Sequence, residues 1–155
     1  SDSAIQYFEK AVEHNPQFTA AFYNLGYTYQ VTDQLEKAIP NYERALELQP
    51  YEIKAMSNLA LLYQKTGQTE KAVALNEDII TIEPGLDLPY INLGTYAMRG
   101  GDAAKALEYF EQAIRINPNN FELNMRLRNY FQKVGDSAKA DYYLDLARRS
   151  GRPQQ

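Results

Sequence analysis

The chain has no cysteine, so no disulfide can staple it and no thiolate can ligate a metal. That absence does not separate a reducing from an oxidising compartment. His14 is the only histidine, and a histidine-based metal centre would need carboxylates that the sequence does not cluster beside it. It reads as a partly exposed residue favourably placed near a helix C-terminus. Basic charge is in deficit, with 16 Lys and Arg against 20 Asp and Glu and a formal net charge of −4. A nucleic-acid partner wants a basic stripe that releases counterions, and none stands out along the primary sequence, so none is expected. No window approaches 18 uncharged apolar residues, and the opening SDSAIQYFEK has neither a basic n-region nor an apolar h-region. The chain is expected to be soluble, with no membrane insertion. Phosphate loops of the G-x-x-x-x-G-K-[ST] or G-x-G-x-x-G kind, nucleophile elbows and zincin helices are also missing, and Gly100-Gly101 reads as a turn. No cofactor, metal site or enzymatic activity is expected.

What is present is a period. With 155 residues, 45% apolar and 12% aromatic, the chain can bury a sizeable core. Shifting it by 34 residues brings Ala4, Ala38, Ala72, Ala106 and Ala140 into one column and Leu25, Leu59, Leu93 and Leu127 into another. A fixed period in this range marks a stacked helical array.

The units follow in order. Residues 1–18 match only the second half of a unit: Ala4, Phe8 and Ala11 share one helical face that expects a preceding helix to cover it. The chain therefore reads as beginning partway through a repeat, with Phe8 the residue expected to make a dimeric contact. In the full unit 19–52, Phe22, Leu25, Gly26 and Tyr29 follow the i, i+3, i+4, i+7 rule of a buried face. Asp33 with Glu36 reads as a capping box that starts a second helix, whose inner face is Ala38, Tyr42 and Ala45. Pro40 is expected to kink that helix. Unit 53–86 repeats the plan with Met56, Leu59, Ala60 and Tyr63, then Ala72, Asn76 and Ile79. Unit 87–120 does so with Tyr90, Leu93, Gly94 and Ala97, then Ala106, Phe110 and Ala113, entered at Asp87 with Pro89 close behind. The small residues Gly26, Ala60 and Gly94 are expected to face the alanine column, where two helix axes come close. Unit 121–151 departs: Asn124 replaces a large residue and Arg128 a small one, so the pair should splay or Arg128 should snorkel. It reads as a degenerate C-terminal cap, with 152–155 a frayed tail.

F-x-x-L-G-x-x-Y on a first helix, A-x-x-x-Y-x-x-A on a second and a closing Pro resemble the tetratricopeptide repeat, and the resemblance covers essentially the whole chain as one half-repeat and four repeats. What it implies is an all-α fold: a right-handed α-α superhelix of about nine antiparallel helices in a single array, with the first helices lining a concave groove that binds peptides or partner proteins.

At about 100° per residue, the side of each first helix opposite its buried face is the groove side. The candidates there are Tyr23, Asn24 and Tyr27, then Lys54, Asn58 and Leu61, then Ile91 and Asn92, and last Met125, Arg126 and Asn129. A face meeting only water would not carry so much aromatic and apolar surface. Asn24, Asn58 and Asn92 form a column that ends in Arg126. Carboxamides can hold the backbone of an extended peptide without reading its side chains, and Arg126 could take a carboxylate. The column is similar to the asparagine ladder of the repeat domain of O-linked N-acetylglucosamine transferases. The carboxylate site of chaperone-tail repeats does not fit, because Ser57, Leu61 and Glu122 occupy its remaining places. A further column, Glu9, Glu43, Glu77, Glu111 and Asp145, lies with Lys37, Lys71, Lys105 and Lys139 on the second helices and reads as a solvated convex face.

The leading expectation is a protein or peptide-binding scaffold acting through that groove. One alternative is a regulatory or substrate-recruiting segment of a larger enzyme, a glycosyltransferase or an envelope hydrolase. The other is a self-assembling array, a homo-oligomer built through the uncovered Phe8 face.

Overall fold

The computed structural model describes residues 2–151, and among them it has nine helices and no strand. The expected tail lies outside the described residues. The helices are α1 (Asp2–His14), α2 (Thr19–Val31), α3 (Leu35–Leu48), α4 (Ile53–Lys65), α5 (Thr69–Ile82), α6 (Asp87–Arg99), α7 (Ala103–Ile116), α8 (Phe121–Val134) and α9 (Ser137–Ser150). They cluster as two compact units, with α1–α5 in the first and α6–α9 in the second. None is long and apolar enough to cross a membrane.

Within each unit, consecutive helices pair antiparallel through the columns expected from the period. Leu25, Gly26 and Tyr29 of α2 are buried against Ala38, Tyr42 and Ala45 of α3, and Leu93 and Gly94 of α6 against Ala106, Phe110 and Ala113 of α7. Why glycine recurs is a matter of distance. A Cβ placed on Gly26 would stand 3.2 Å from the Tyr42 ring and 3.3 Å from the Ala38 carbonyl oxygen. On Gly94 it would stand 2.6 Å from the Phe110 ring and 3.1 Å from the Ala106 carbonyl oxygen. In the intervening repeat a methyl is present, Ala60, and the ring four residues beyond the column alanine is replaced by the smaller Asn76. Asn76 is buried and closes back on its own helix, Nδ2 donating to the Ala72 carbonyl at 2.7 Å.

The turn inside each pair is built by one residue with positive φ. Gly67, Gly101 and Gly135 hold it at 77°, 86° and 84°, and in the first full repeat the same place is taken by Asp33 at 59°. In every case the amide of that residue and the next reach back to the last turn of the helix before, as Asp33 N to the Gln30 carbonyl at 3.1 Å and Gln34 N to the Tyr29 carbonyl at 2.9 Å. This corrects the capping box expected at Asp33, whose side chain caps nothing: the N-cap of α3 is Gln34, one residue later. The true cap column is Gln34, Gln68, Asp102 and Asp136. Its two aspartates cap by side chain, accepting from Lys105 N at 3.0 Å and Lys139 N at 3.1 Å. A left-handed backbone is what glycine tolerates and a side chain resists, so the turn chemistry fell one residue earlier than the cap. Pro40 sits exposed within a continuous α3. Arg128 snorkels: its Nη1 donates to Asn129 Oδ1 at 2.8 Å near the surface.

The convex columns also need correcting. Glu9 and Glu43 are half-buried acceptors that lock one repeat to the next, taking the Tyr29 hydroxyl at 2.6 Å and the Tyr63 hydroxyl at 2.5 Å. On the other side of these rings stand the lysines, Lys37 Nζ 5.3 Å from the Tyr29 centroid and Lys71 Nζ 4.9 Å from that of Tyr63. Lys139 covers Phe131 in the same way at 4.9 Å. Where Ala97 offers no ring, Lys105 lies at 5.9 Å from Tyr109. Only part of the charge on this side is therefore solvated, and the Tyr29 and Tyr63 rings each meet both an ammonium and a carboxylate. The hydrogen bond to Glu9, followed by burial, pushes the Tyr29 phenol up to about 12, and burial followed by the bond to Glu43 raises Tyr63 as well.

Three stability outcomes follow from these contacts. Replacing Asp33 by Gly relieves the left-handed strain and should raise stability by about 1 kcal/mol in urea denaturation. Alanine gains about 1 kcal/mol of helix propensity over glycine, but overpacking costs about 1–3 kcal/mol. Gly26→Ala should therefore be near neutral and Gly94→Ala clearly destabilising. Because the folded-state phenol of Tyr29 is raised, its contribution is fully present below its ordinary range near 10 and is lost as pH climbs toward about 12. Tyr29→Phe should cost about 1 kcal/mol at pH 8, and the gap to the parent should narrow through that alkaline window.

Candidate functional site

The candidate residues lie on the first helices, and each unit presents its own set. In the first unit Tyr27 is 50% exposed and Leu61 41% exposed, two large apolar groups facing solvent on adjacent first helices. Lys54 is exposed at the start of α4, while Tyr23, Asn24 and Asn58 are half-buried between them. In the second unit Arg126 and Asn129 are exposed, and Ile91, Asn92 and Met125 are half-buried.

Half-burial has a cause that the sequence did not show. Tyr23 packs edge-to-face on Tyr42, with ring centroids 5.6 Å apart and 67° between planes. Asn58 Nδ2 donates to the Tyr23 hydroxyl at 3.3 Å, and the Tyr42 hydroxyl donates to Gln30 Oε1 at 2.8 Å. Burial, and then the neighbouring Tyr23, push the Tyr42 phenol well above its ordinary range, with Asn58 hydrogen bonding partly offsetting them. The floor of this unit's face is thus a linked set of two tyrosines and two amides, not a row of unengaged carboxamides. Asn92 likewise already interacts within the protein.

In the second unit the position two repeats on from Asn58 is Arg126, and the one two repeats on from Tyr42 is Phe110. The pairing persists with different chemistry. The Arg126 guanidinium carbon lies 5.0 Å from the Phe110 centroid, and Nη1 donates to Thr95 Oγ1 at 2.9 Å. Thr95 is in turn fixed by donating to the Ile91 carbonyl at 2.7 Å. A planar cation held over a ring by one of its five N–H groups keeps the others for a ligand. Asn129 Oδ1 is occupied by Arg128.

Gln30, Tyr42 and Phe110 are the residues that sequence reasoning assigned to the core or passed over. The signal was there in part, since Tyr42 and Phe110 share a column, but a core column does not announce that its ring also floors the opposite face. The unit-one face also ends in a cleft of about 250 Å³ lined by Thr19, Ala20, Tyr23, Ala45, Gln49, Glu52 and Lys54. Phe8 is half-buried on α1, with its ring edge-to-face on Tyr7 at 5.4 Å. His14 is exposed at the end of α1, Nδ1 lying 2.8 Å from the Lys10 carbonyl. No group of three or more His, Cys, Asp or Glu among the described residues could hold a metal ion.

A sequence profile described as tetratricopeptide repeat matches residues 18–82, and a second of the same description matches 88–120, together more than half of the chain. No curated protein matches the sequence at a significant level. Among solved structures, a crystal structure of MamA superposes with a TM-score of 0.85 at 21% identity, over 96% of this chain and 87% of that one. The pilF protein of Pseudomonas aeruginosa gives 0.80 at 22% identity, over 99% and 77%. YrrB, described as a TPR protein with an unusual peptide-binding site, gives 0.78 at 19% identity, over 97% and 77%. At such identities the likeness concerns the fold, which is the all-α tetratricopeptide solenoid class that the resemblance implied. With its repeats matched by profile and its fold shared with these structures, the chain belongs to the tetratricopeptide repeat family.

Proposed function

We propose that the chain is a protein–protein interaction scaffold that takes an extended peptide or a partner helix on the outward face of its first helices. The observation that carries this reading is the exposure of Tyr27 and Leu61 on neighbouring first helices, beside polar groups already held in place. Apolar side chains gathered on one face gain when a partner removes them from water. The description of YrrB as having a peptide-binding site supports a peptide as the ligand.

For Asn58 to grip a peptide backbone it must exchange its bond to Tyr23 for one to the ligand, so the net gain is that of an exchange. Burial of Tyr27 and Leu61 has no such offset, and it should dominate the affinity. Preorganisation is what the amides add, because Tyr23 and Asn58 need little further ordering when a ligand arrives.

Panning a random twelve-residue peptide library on the full chain, followed by titration calorimetry of the selected peptides, tests this. Tyr27→Asp should weaken binding by about tenfold or more. Asn58→Ala should cost about 1 kcal/mol at most. Selected peptides that bind both variants as tightly as the parent would place the binding surface elsewhere.

A further inference from the structure

The repeats close on Pro16, Pro50, Pro84 and Pro118, in one column of the 34-residue period. At Pro16, Pro84 and Pro118 a side chain donates to the proline carbonyl: Arg44 Nη2 at 3.4 Å, the Tyr90 hydroxyl at 3.4 Å and Asn124 Nδ2 at 2.8 Å. Two columns supply these donors, Arg44 on a second helix and the other two on first helices. Around Pro50 the residue in the register of Arg44 is Asp78, and the one in the register of Tyr90 and Asn124 is Met56. Neither a carboxylate nor a thioether can donate.

What lies there is a cleft of about 450 Å³, formed by α3, α4, α5 and Pro50 inside the first unit. Met56 and Leu59, both buried, and half-buried Leu75 give it an apolar lining, beside the carboxylates of Glu43, Glu47 and Asp78. One repeat earlier the corresponding register holds the protein's own guanidinium. The Arg44 guanidinium carbon stands 5.9 Å from the Phe22 centroid, Nη2 reaches the Pro16 carbonyl, and Nη1 pairs with Glu47 Oε2 at 2.7 Å. A planar, weakly hydrated cation can rest on apolar surface while dividing its N–H groups between a carbonyl and a carboxylate. The chain thus carries its own example of what this register accepts.

Charge points the same way. In the first unit α3 and α5 have more carboxylates than cations, whereas α2 has no charged residue and α4 has Lys54 and Lys65, at its two ends, with no carboxylate. Glu43 and Glu47 are engaged by Tyr63 and Arg44, but Asp78 is exposed and in no ion pair among the described residues. We propose that this cleft takes an arginine side chain of a partner peptide, its methylenes on Met56 and Leu59 and its guanidinium on the Asp78 carboxylate and the Pro50 carbonyl. The site does not rest on Tyr27 or Leu61. Lysine fits less well, because an ammonium is strongly hydrated and has no flat face to lay on the apolar lining. A second copy of the chain is the less favoured source of the arginine, since two chains of net charge −4 repel each other.

The test titrates the full chain, with its methionine methyls labelled, with the peptide Gly-Ser-Leu-Arg-Leu-Ser-Gly and with counterparts carrying Lys or Gln in place of Arg. The Arg peptide should shift the Met56 methyl resonance and bind about tenfold more tightly than the Gln peptide, with Lys between them and an advantage that shrinks as salt rises. Asp78→Asn should remove most of the advantage. Asp78→Arg should abolish binding with helical circular dichroism unchanged, because it supplies the guanidinium from within as Arg44 does. Equal affinity for the Arg and Gln peptides, no binding of any of them at millimolar concentration, or Asp78→Asn binding like the parent overturns the proposal. Binding that shifts Met125 and leaves Met56 unmoved also overturns it, and leaves the groove reading standing. A parent dimer in sedimentation that Asp78→Arg dissociates overturns the partner assignment in favour of a second copy.

Discussion

The close approach of the two helices in each pair is the constraint on which the remaining structure depends. Gly26 and Gly94 have no side chain because the Tyr42 and Phe110 rings and the carbonyls of Ala38 and Ala106 stand where a Cβ would go. The ring that fills this space does more than close a crossing. Tyr42 meets Gly26 on one side and Tyr23 on the other, and Phe110 meets Gly94 and lies under Arg126. Fixing the ring fixes the rotation of the first helix about its axis, and that rotation decides which residues look outward. Packing and presentation are thus one event, because a side chain in a dense interior has a single place to be.

The other side of the pairs works by a different economy. Tyr29 and Tyr63 send their hydroxyls back to Glu9 and Glu43 of the preceding second helix, and lysines cover the ring faces. These contacts join neighbouring repeats within the first unit, as the packing of Gly against ring joins the two helices of one repeat. These locks use Tyr29 and Tyr63, which lie about 200° round their helices from Tyr27 and Leu61, and those two stay exposed. That division is consistent with a scaffold in which one side maintains spacing while the other meets a partner, since a face whose groups are all spent on its neighbours offers a ligand little.

Much of this was legible in the residues. The 34-residue period placed the pairs, the alanine column placed their seams, and the glycines at 26 and 94 were assigned to the close approach for the reason the structure shows. Three features were misread or missed, each for a definite cause. Asp33 was taken for a cap because an acidic residue three before Glu36 fits that signature, yet the column containing Gly67, Gly101 and Gly135 marks a left-handed turn. Glu9 and Glu43 were taken for solvated charge because a helical wheel shows no neighbour from another helix. The excess of basic residues on the first helices was missed because acid on the second helices and in the turns offsets it along the chain.

What the sequence determined alone is therefore periodic: helix identity, pairing order and the side of each helix that goes inward, all of which follow from residue type at a fixed spacing. What only the tertiary structure decided is which columns touch across helices. Tyr29 finds Glu9 twenty residues back, Asn58 finds Tyr23, and Arg126 settles between Thr95 and Phe110. A one-dimensional repeat specifies orientation about an axis, but the distance between two axes depends on the bulk packed between them, and that distance sets whether a hydroxyl reaches a carboxylate or a guanidinium a ring.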